Sequence, residues 1–287
     1  MNDSASENLT AILASSAYLL AEEDKGFLKR PELRAARLLL EYLKVDSLLI
    51  DEQIRSTIVV FGGTQILERE DALKRLELVK EKLAAAPSDL ARQRAVQRAE
   101  AALAKSHYYD EARAFARLVS STCQINGECE YVMVTGGGPG IMEAANRGAA
   151  DVDAKSIGFN ITLPEEQKPN PYITPNLCFQ FRYFALRKMH FLLRAKALVV
   201  FPGGFGTIDE LSDALTLRQT GRMQAIPIIL YGTNYWKKMI DFDFMADEGV
   251  IRDEHLSLFS YSDSPEDAWR QICEFHTGEI GQQGGGA

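Results

Sequence analysis

The chain has 287 residues, of which 46% are hydrophobic and 25% are charged, a composition typical of a folded globular protein with a sizeable core. Its formal net charge is -8, which disfavours tight nonspecific binding to nucleic acid or to an acidic membrane surface. The amino terminus does not resemble a signal peptide, and no apolar run approaches the roughly 20 residues of a membrane helix. We therefore expect a cytoplasmic protein with neither nucleic acid nor membrane as a partner.

The first half of the chain is predicted to be mostly helical. Residues 1–50 carry apolar side chains at helical spacing and are predicted to form an N-terminal helical segment. A buried strand is predicted over Thr57–Phe61, ending in Gly62-Gly63-Thr64. Residues 66–122 are rich in Ala, Leu, Glu, Lys and Arg and predict an inserted helical hairpin, broken near Pro87. We interpret this hairpin as a solvated arm or an oligomer contact.

Strands and helices alternate in the second half. The predicted strands are 131–135, 156–162, 197–201, 227–231 and 256–261. The predicted helices are 139–152, 180–195, 207–220, 234–248 and 265–275. This alternation predicts an α/β fold, a doubly wound, Rossmann-like parallel sheet flanked by helices, over residues 51–276. The Gly- and Gln-rich residues 277–287 are predicted to be a disordered tail.

The first glycine-rich loop follows the strand at 131–135. Gly136, Gly137, Gly138 and Gly140 surround Pro139, whose missing N–H suits the first turn of the next helix. Glycine backbone at a helix start is a natural phosphate site, so these glycines are candidate substrate-binding residues. The loop lacks both the Walker lysine and the spacing of the dinucleotide fingerprint. A tight turn without a ligand is the alternative interpretation.

A basic helix is predicted next, with its cations on one face. Tyr183, Arg187, His190 and Arg194 share that face by their spacing, and phenylalanines and leucines are expected on the buried face. A solvated basic stripe is the ordinary interpretation. In an acidic protein, a basic helix that leads into a second glycine-rich loop also suits binding of a phosphate or a purine edge.

The second glycine-rich loop contains Gly203, Gly204 and Gly206 and leads into Thr207 and Glu210. Thr207 and Glu210 match a capping box, which is the structural alternative for both residues. However, the loop follows a buried strand, and open α/β sheets bind ligands at the carboxyl ends of their strands. We therefore predict that this loop and Thr207 bind phosphate while Glu210 reaches the sugar.

These motifs together resemble the Lonely Guy family of phosphoribohydrolases, including its longer bacterial branch, many of whose members carry the label of lysine decarboxylase. The residues that carry the resemblance are Gly136-Gly137-Gly138-Pro139-Gly140-Ile141-Met142-Glu143, Arg187-Lys188 and Pro202-Gly203-Gly204-Phe205-Gly206-Thr207-Ile208-Asp209-Glu210. The resemblance implies Arg187 and Glu210 as the catalytic pair and Lys188 as a substrate-binding residue. It also implies a homodimer or higher homo-oligomer, for which the apolar segment 179–191 offers surface.

The reaction that the resemblance implies is hydrolysis of the N-glycosidic bond of a nucleoside 5′-monophosphate, giving free base and ribose 5-phosphate. No cofactor or metal is expected: Cys123, Cys129, Cys178 and Cys273 form no C-x-x-C pair, which favours structural thiols over a zinc site. Decarboxylation needs pyridoxal phosphate on a lysine, and neither Lys188 nor Lys196 stands in a recognisable setting for it. The alternative function is that of a non-catalytic nucleotide-binding or sensing protein.

Overall fold

The computed structural model describes residues 3–124, 129–163 and 168–283. The chain divides into two compact units, Met1–Asp46 and Ser47–Ala287, close to the predicted limit of the N-terminal segment at residue 50. The first unit contains α1 (Asp3–Ala14), α2 (Lys25–Leu28) and most of α3 (Arg34–Asp51). Within the described ranges, no helix has the length and apolar character needed to cross a membrane.

The second unit is built on a seven-stranded sheet, in which every neighbouring pair of strands is parallel. Its strands are β1 (Thr57–Phe61), β2 (Val132–Thr135), β3 (Ser156–Ile161), β4 (Cys178–Phe181), β5 (Ala195–Val200), β6 (Ile228–Tyr231) and β7 (Ser260–Ser262). Its helices are α4 (Arg69–Ala84), α5 (Leu90–Ala104), α6 (His107–Cys123), α7 (Ile141–Ala150), α8 (Phe184–Leu193), α9 (Phe205–Gln219), α10 (Thr233–Met239), α11 (Phe242–Asp247) and α12 (Pro265–Gln283). The predicted α/β fold is confirmed.

The strand order is β4-β3-β2-β1-β5-β6-β7. Strands β2 to β4 therefore extend the sheet on one side of β1, and β5 to β7 extend it on the other. Side chains of one strand alternate between the two faces of the sheet. Ile58 and Val60 belong to the large core cluster formed with α6, α7 and α12. Phe61 lies on the opposite face, where its ring centre is 5.0 Å from that of Phe191 on α8. Helices therefore cover both faces of the central strand.

The predicted hairpin over residues 66–122 is shorter in the structure. Only α4 and α5 form it, packed on a small core of their own that contains Leu76, Val96 and Ala99. Helix α6 instead buries Phe115 and Val119 completely in the main core and connects β1 to β2. The interpretation of the whole segment as a solvated arm is therefore wrong for α6.

Three further predictions of the secondary structure differ from the structure. Strand β4 occupies the start of the helix predicted from residue 180, because Phe179 and Phe181 point inward in the alternating pattern of a strand. The helix predicted at 234–248 is two helices, and the carboxylate of Asp241 caps the second by accepting the N–H of Phe244 at 2.9 Å. Helix α12 continues past residue 277 to Gln283, and residues 284–287 of the predicted tail lie outside the described residues.

Candidate active site

A cleft of about 370 Å³ lies at the carboxyl edge of the sheet. Its floor is formed by the loops after β1 and β5, the adjacent strands from which the chain runs outward in opposite directions. A doubly wound sheet opens a crevice at this point because the two connections leave on opposite faces. The cleft is lined by Phe61, Gly62, Gly63, Thr64, Gly136, Met142, Phe184, Arg187, Phe191, Gly204, Phe205, Gly206, Thr207, Asp209 and Glu210.

Glu210 stands in the cleft on the second turn of α9. Helix α9 begins at Phe205 with Gly204 as its N-cap, and the N–H of Thr207 already donates to the carbonyl of Gly204 at 3.0 Å. The capping-box alternative for Thr207 and Glu210 is therefore wrong. Burial raises the pKa of Glu210 from 4.5 to about 7, although the charges of Lys188 and Arg187 oppose the rise. Glu210 is thus a carboxyl group that gains and loses its proton near neutral pH.

Arg187 reaches the same cleft from α8. Its Nε donates to the carbonyl oxygen of Phe159 at 2.7 Å, and one terminal nitrogen lies 3.4 Å from the carbonyl oxygen of Gly136. The guanidinium also lies over the ring of Phe191, 5.2 Å from its centre. Burial lowers the pKa of Arg187, while the charge of Glu210 acts in the opposite direction. An arginine retains its charge under such conditions, so the cleft contains a fixed cation near an ionisable acid.

The second glycine-rich loop offers an open helix start to the cleft. The backbone N–H groups of Phe205 and Gly206 precede the first bonded N–H of α9, as the first donors of any helix do. A Cβ added at Gly204 or Gly206 would meet no atom within 4 Å, so open space adjoins both glycines. These donors and the positive end of the helix suit a phosphate group. Gly203 differs, because an added Cβ would collide with the side chain of Thr207.

The first glycine-rich loop is held mainly by other parts of the protein. The N–H of Gly137 donates to the hydroxyl of Thr135 at 3.0 Å, and Asn170 donates to the carbonyls of Gly137 and Gly138. Gly140 has a φ of +74°, and an added Cβ would collide with the carbonyl oxygen of Gly63. Of the four predicted phosphate-binding glycines here, only Gly136 lines the cleft. The loop therefore packs against its neighbours more than it opens to a ligand.

The start of α7 also differs from the prediction. The sequence predicts Pro139 in the first turn, but α7 begins at Ile141 with Gly140 as its N-cap. The left-handed backbone of Gly140 redirects the chain after Pro139, which brings the loop against Gly63. A positive φ at this position was not apparent from the proline alone.

Lys188 lies outside the cleft lining, although the resemblance implies that it binds substrate. Its Nζ is 2.8 Å from Oδ2 of Asp209 and 3.1 Å from Oδ2 of Asp213, both on α9. Burial alone would lower the pKa of Lys188, but its bonds to these two carboxylates outweigh burial and raise it. The lysine thus links α8 to α9, the helices that carry Arg187 and Glu210.

The basic helix differs from the prediction in which side chains are buried and which are exposed. His190 is buried, with only 3% of its surface exposed, while Phe184 and Leu193 are about half exposed. Phe191 is buried as expected. The inward position of His190 follows from β3 and β4, whose Phe159 and Phe181 rings lie 6.2 and 5.6 Å from its ring centre. Spacing alone shows which residues share a helix face, but it does not show which face turns inward.

The prediction missed the loop after β1 as part of the site. Gly62, Gly63 and Thr64 line the cleft together with Phe61 and the highly exposed Phe205. The sequence contains a signal for this loop, because Gly62-Gly63-Thr64 follows a buried strand, as the other two glycine-rich loops also do. Recognising it required knowledge that β1 and β5 are neighbours.

The cysteines are all free thiols in the structure. Among the residues that the structure describes, no group of three His, Cys, Asp or Glu side chains is arranged to hold a metal ion. Burial raises the pKa of Cys123 and Cys178, which makes both thiols poor nucleophiles at neutral pH.

Comparison with known proteins finds relatives that are similar to this part of the chain. A family model described as "Possible lysine decarboxylase" matches residues 142–272. The chain is 31% identical over 132 residues to the pyrimidine/purine nucleotide 5′-monophosphate nucleosidase of Escherichia coli K12, covering 42% of this chain and 28% of that protein. It is 28% identical over 90 residues to the cytokinin riboside 5′-monophosphate phosphoribohydrolase LOG7 of Arabidopsis thaliana, covering 31% of this chain and 42% of that protein. These matches confirm the resemblance to the Lonely Guy family.

The matched segments span less than half the length of either relative. Among solved structures, the Moco carrier protein from Chlamydomonas reinhardtii matches with a TM-score of 0.43 at 17% identity, covering 76% of this chain and 98% of that one.

The residues present do not fit the pyridoxal phosphate that lysine decarboxylation would need. A Schiff-base lysine must lose its proton to act as a nucleophile. Lys188 is held protonated by Asp209 and Asp213, and Lys196 is exposed on β5. Neither lysine is therefore placed to form a Schiff base.

Proposed function

We propose that the protein hydrolyses the N-glycosidic bond of a nucleoside 5′-monophosphate to free base and ribose 5-phosphate. The observation that carries this proposal is the position of Glu210 beside Arg187 in one cleft, next to the open start of α9. The two relatives are named as enzymes that act on nucleotide or riboside monophosphates, which supports the proposal.

The chemistry follows from the charges in the cleft. Breaking an N-glycosidic bond leaves the sugar with oxocarbenium-like positive charge, which a carboxylate stabilises. Water adds to the anomeric carbon, the bond to the base breaks, and the proton that the water loses ends on the departing base. With a pKa of about 7, Glu210 can accept a proton from the water as the new bond forms. Arg187 remains charged and anchors either the departing base or the phosphate.

The phosphate group is proposed to bind at the start of α9. The N–H groups of Phe205 and Gly206 and the hydroxyl of Thr207 are the donors in that part of the cleft. Binding at this fixed point would place the sugar next to Glu210 and use the binding energy to position the reacting bond. A nucleoside without the phosphate lacks this anchor.

The decisive test is product analysis with a panel of nucleoside 5′-monophosphates. We expect AMP or a related monophosphate to give free base and ribose 5-phosphate, and the matching nucleoside to react much more slowly. Equal turnover of nucleoside and nucleotide would contradict the phosphate-anchor argument. If the protein binds the nucleotides without forming any product, it is a nucleotide sensor and the proposed hydrolysis is wrong.

A further inference from the structure

A second cavity, of about 420 Å³, lies beside the candidate active site. The two cavities share Gly63, Thr64 and Gly204, so the loops after β1 and β5 form a common wall. The outer wall of the second cavity comes from the hairpin of α4 and α5, an element that the proposed function does not use. Its volume lies within the ordinary range for small-molecule sites.

The second cavity is lined by three cations and no carboxylate. Arg75 comes from α4, Arg98 from α5, and Lys105 follows the end of α5. Arg75 donates to the side-chain oxygen of Gln65 at 2.8 Å, and Lys105 donates to a carbonyl of its own helix at 3.1 Å. Within the described part of the chain, none of the three forms an ion pair with a carboxylate. The positive charges of the three side chains therefore reinforce one another around the cavity.

Three acidic side chains of this region form ion pairs with other cations. Asp71 pairs with Lys74 at 3.1 Å and Glu100 with Lys80 at 3.4 Å, both on the outside of the hairpin. Glu68, ahead of α4, pairs with Arg147 at 2.8 Å. Three cations without neutralising carboxylates around one cavity are unexpected in a protein of net charge -8, because like charges repel one another. An anion bound in the cavity would relieve that repulsion.

We propose that this cavity binds the phosphate groups of a small phosphorylated molecule, with Arg75, Arg98 and Lys105 as the phosphate-binding residues. Guanidinium groups bind phosphate through paired N–H donors, and lysine adds a mobile charge. The proposal does not depend on the hydrolysis of nucleotides in the neighbouring cleft. The phosphates have two conceivable sources: a separate phosphorylated molecule, or a nucleotide in the active site whose phosphates extend over the common wall.

The test is calorimetric titration of the full-length protein with inorganic pyrophosphate. Two variants are compared with the parent: the single change Arg98→Gln, and the double change of Arg75→Gln with Arg98→Gln. Both arginines lie at exposed helix positions, where folding tolerates the change. Arg94→Gln is the matched control, since Arg94 is an exposed arginine of the same helix outside the cavity lining. We expect the double variant to bind pyrophosphate at least about tenfold more weakly than the parent, with Arg94→Gln unchanged.

Repeating the titration with saturating AMP, in the Glu210→Gln background, distinguishes the two sources. Pyrophosphate binding that persists and still depends on Arg98 identifies a separate ligand. If pyrophosphate binding depends on Arg98 in the absence of AMP but disappears when AMP is saturating, the cavity binds the phosphates of the nucleotide in the active site. The proposal is wrong if pyrophosphate does not bind the parent, or if the parent and the double variant bind it equally. Hydrolysis of AMP by the parent is measured separately, so failure of one proposal leaves the other standing.

Discussion

The Nε of Arg187 donates a 2.7 Å hydrogen bond to the carbonyl oxygen of Phe159, and this bond fixes the first turns of α8 to strand β3. The same guanidinium extends to the carbonyl of Gly136 and lies over the ring of Phe191. Because these contacts set the direction of the planar group, its charge already faces the cleft that contains Glu210. A charge positioned in advance stabilises a transition state without the cost of reorienting it.

Replacing Arg187 with lysine should therefore abolish most of the activity while the charge is kept. The ammonium group of lysine has no planar fork and cannot reproduce the contacts with Phe159 and the ring of Phe191. We expect kcat/KM for AMP to fall by about a hundredfold or more. Arg182→Lys, at an exposed arginine just ahead of α8, is the control and should retain parental kinetics. Similar kcat/KM in both variants would show that Arg187 acts only as a point charge.

Glu210→Gln should separate catalysis from binding. The change removes the charge and the exchangeable proton, so we expect turnover of AMP to fall by about a hundredfold or more. AMP should still bind with nearly parental affinity, because its phosphate contacts are at the start of α9. Glu248→Gln makes the same chemical change at an exposed glutamate outside the cleft lining and serves as the control. Near-parental turnover of Glu210→Gln would exclude Glu210 as the catalytic carboxyl group.

The raised pKa of Glu210 also predicts how stability depends on pH. Folding raises this pKa from 4.5 to about 7, so the folded state holds the proton more tightly than the unfolded state. The resulting stabilisation is complete below pH 4.5 and is lost as the pH rises through 7. Relative to Glu210→Gln, the parent should therefore lose up to about 3 kcal/mol of unfolding free energy between pH 4.5 and pH 8. Urea unfolding at both pH values measures this, and a constant difference would contradict the burial of the carboxyl group.

The glycines of the two loops should respond differently to alanine. Gly206→Ala places a methyl group in the open space beside the start of α9, so the protein should fold normally but bind AMP more weakly, by about tenfold. Gly140→Ala would bring a Cβ against the carbonyl of Gly63 at a positive φ, so it should lower the melting temperature markedly. Thermal melts and AMP titrations of both variants test this contrast. Equal effects of both on AMP binding, without loss of stability, would contradict the assigned roles.

The exposed apolar side chains of α8 support a prediction of self-association. Phe184, Met189 and Leu193 are 39–52% exposed, and two of them line a cavity of about 660 Å³ with apolar residues of neighbouring segments. We expect a homodimer or a higher homo-oligomer in solution, and we expect Leu193→Glu to shift it towards the monomer. Light scattering coupled to size-exclusion chromatography measures both species. A parent protein that is monomeric and active at assay concentration would contradict this prediction.

Local patterns in the sequence were sufficient for the class of fold and for the main chemical groups. Runs such as Leu198-Val199-Val200 indicate buried strands, because a strand covered on both faces, as is usual in a parallel sheet, buries every side chain. The glycines after them indicate a ligand-binding edge of the sheet, and the resemblance to the family motif indicates Arg187 and Glu210 as the catalytic pair. These features lie within short segments, so chain order alone reveals them.

Tertiary structure decided which of these segments meet. The adjacency of β1 and β5 brings Gly63 and Thr64 into the cleft, and no local pattern encodes the order of strands in a sheet. The position of α8 beside α9 directs Lys188 to Asp209 and Asp213 instead of the cleft. The pKa of Glu210 likewise depends on burial by residues distant in sequence. Strand order, helix orientation and desolvation all arise from contacts between distant segments, whereas helical period, strand hydrophobicity and glycine flexibility are properties of neighbouring residues.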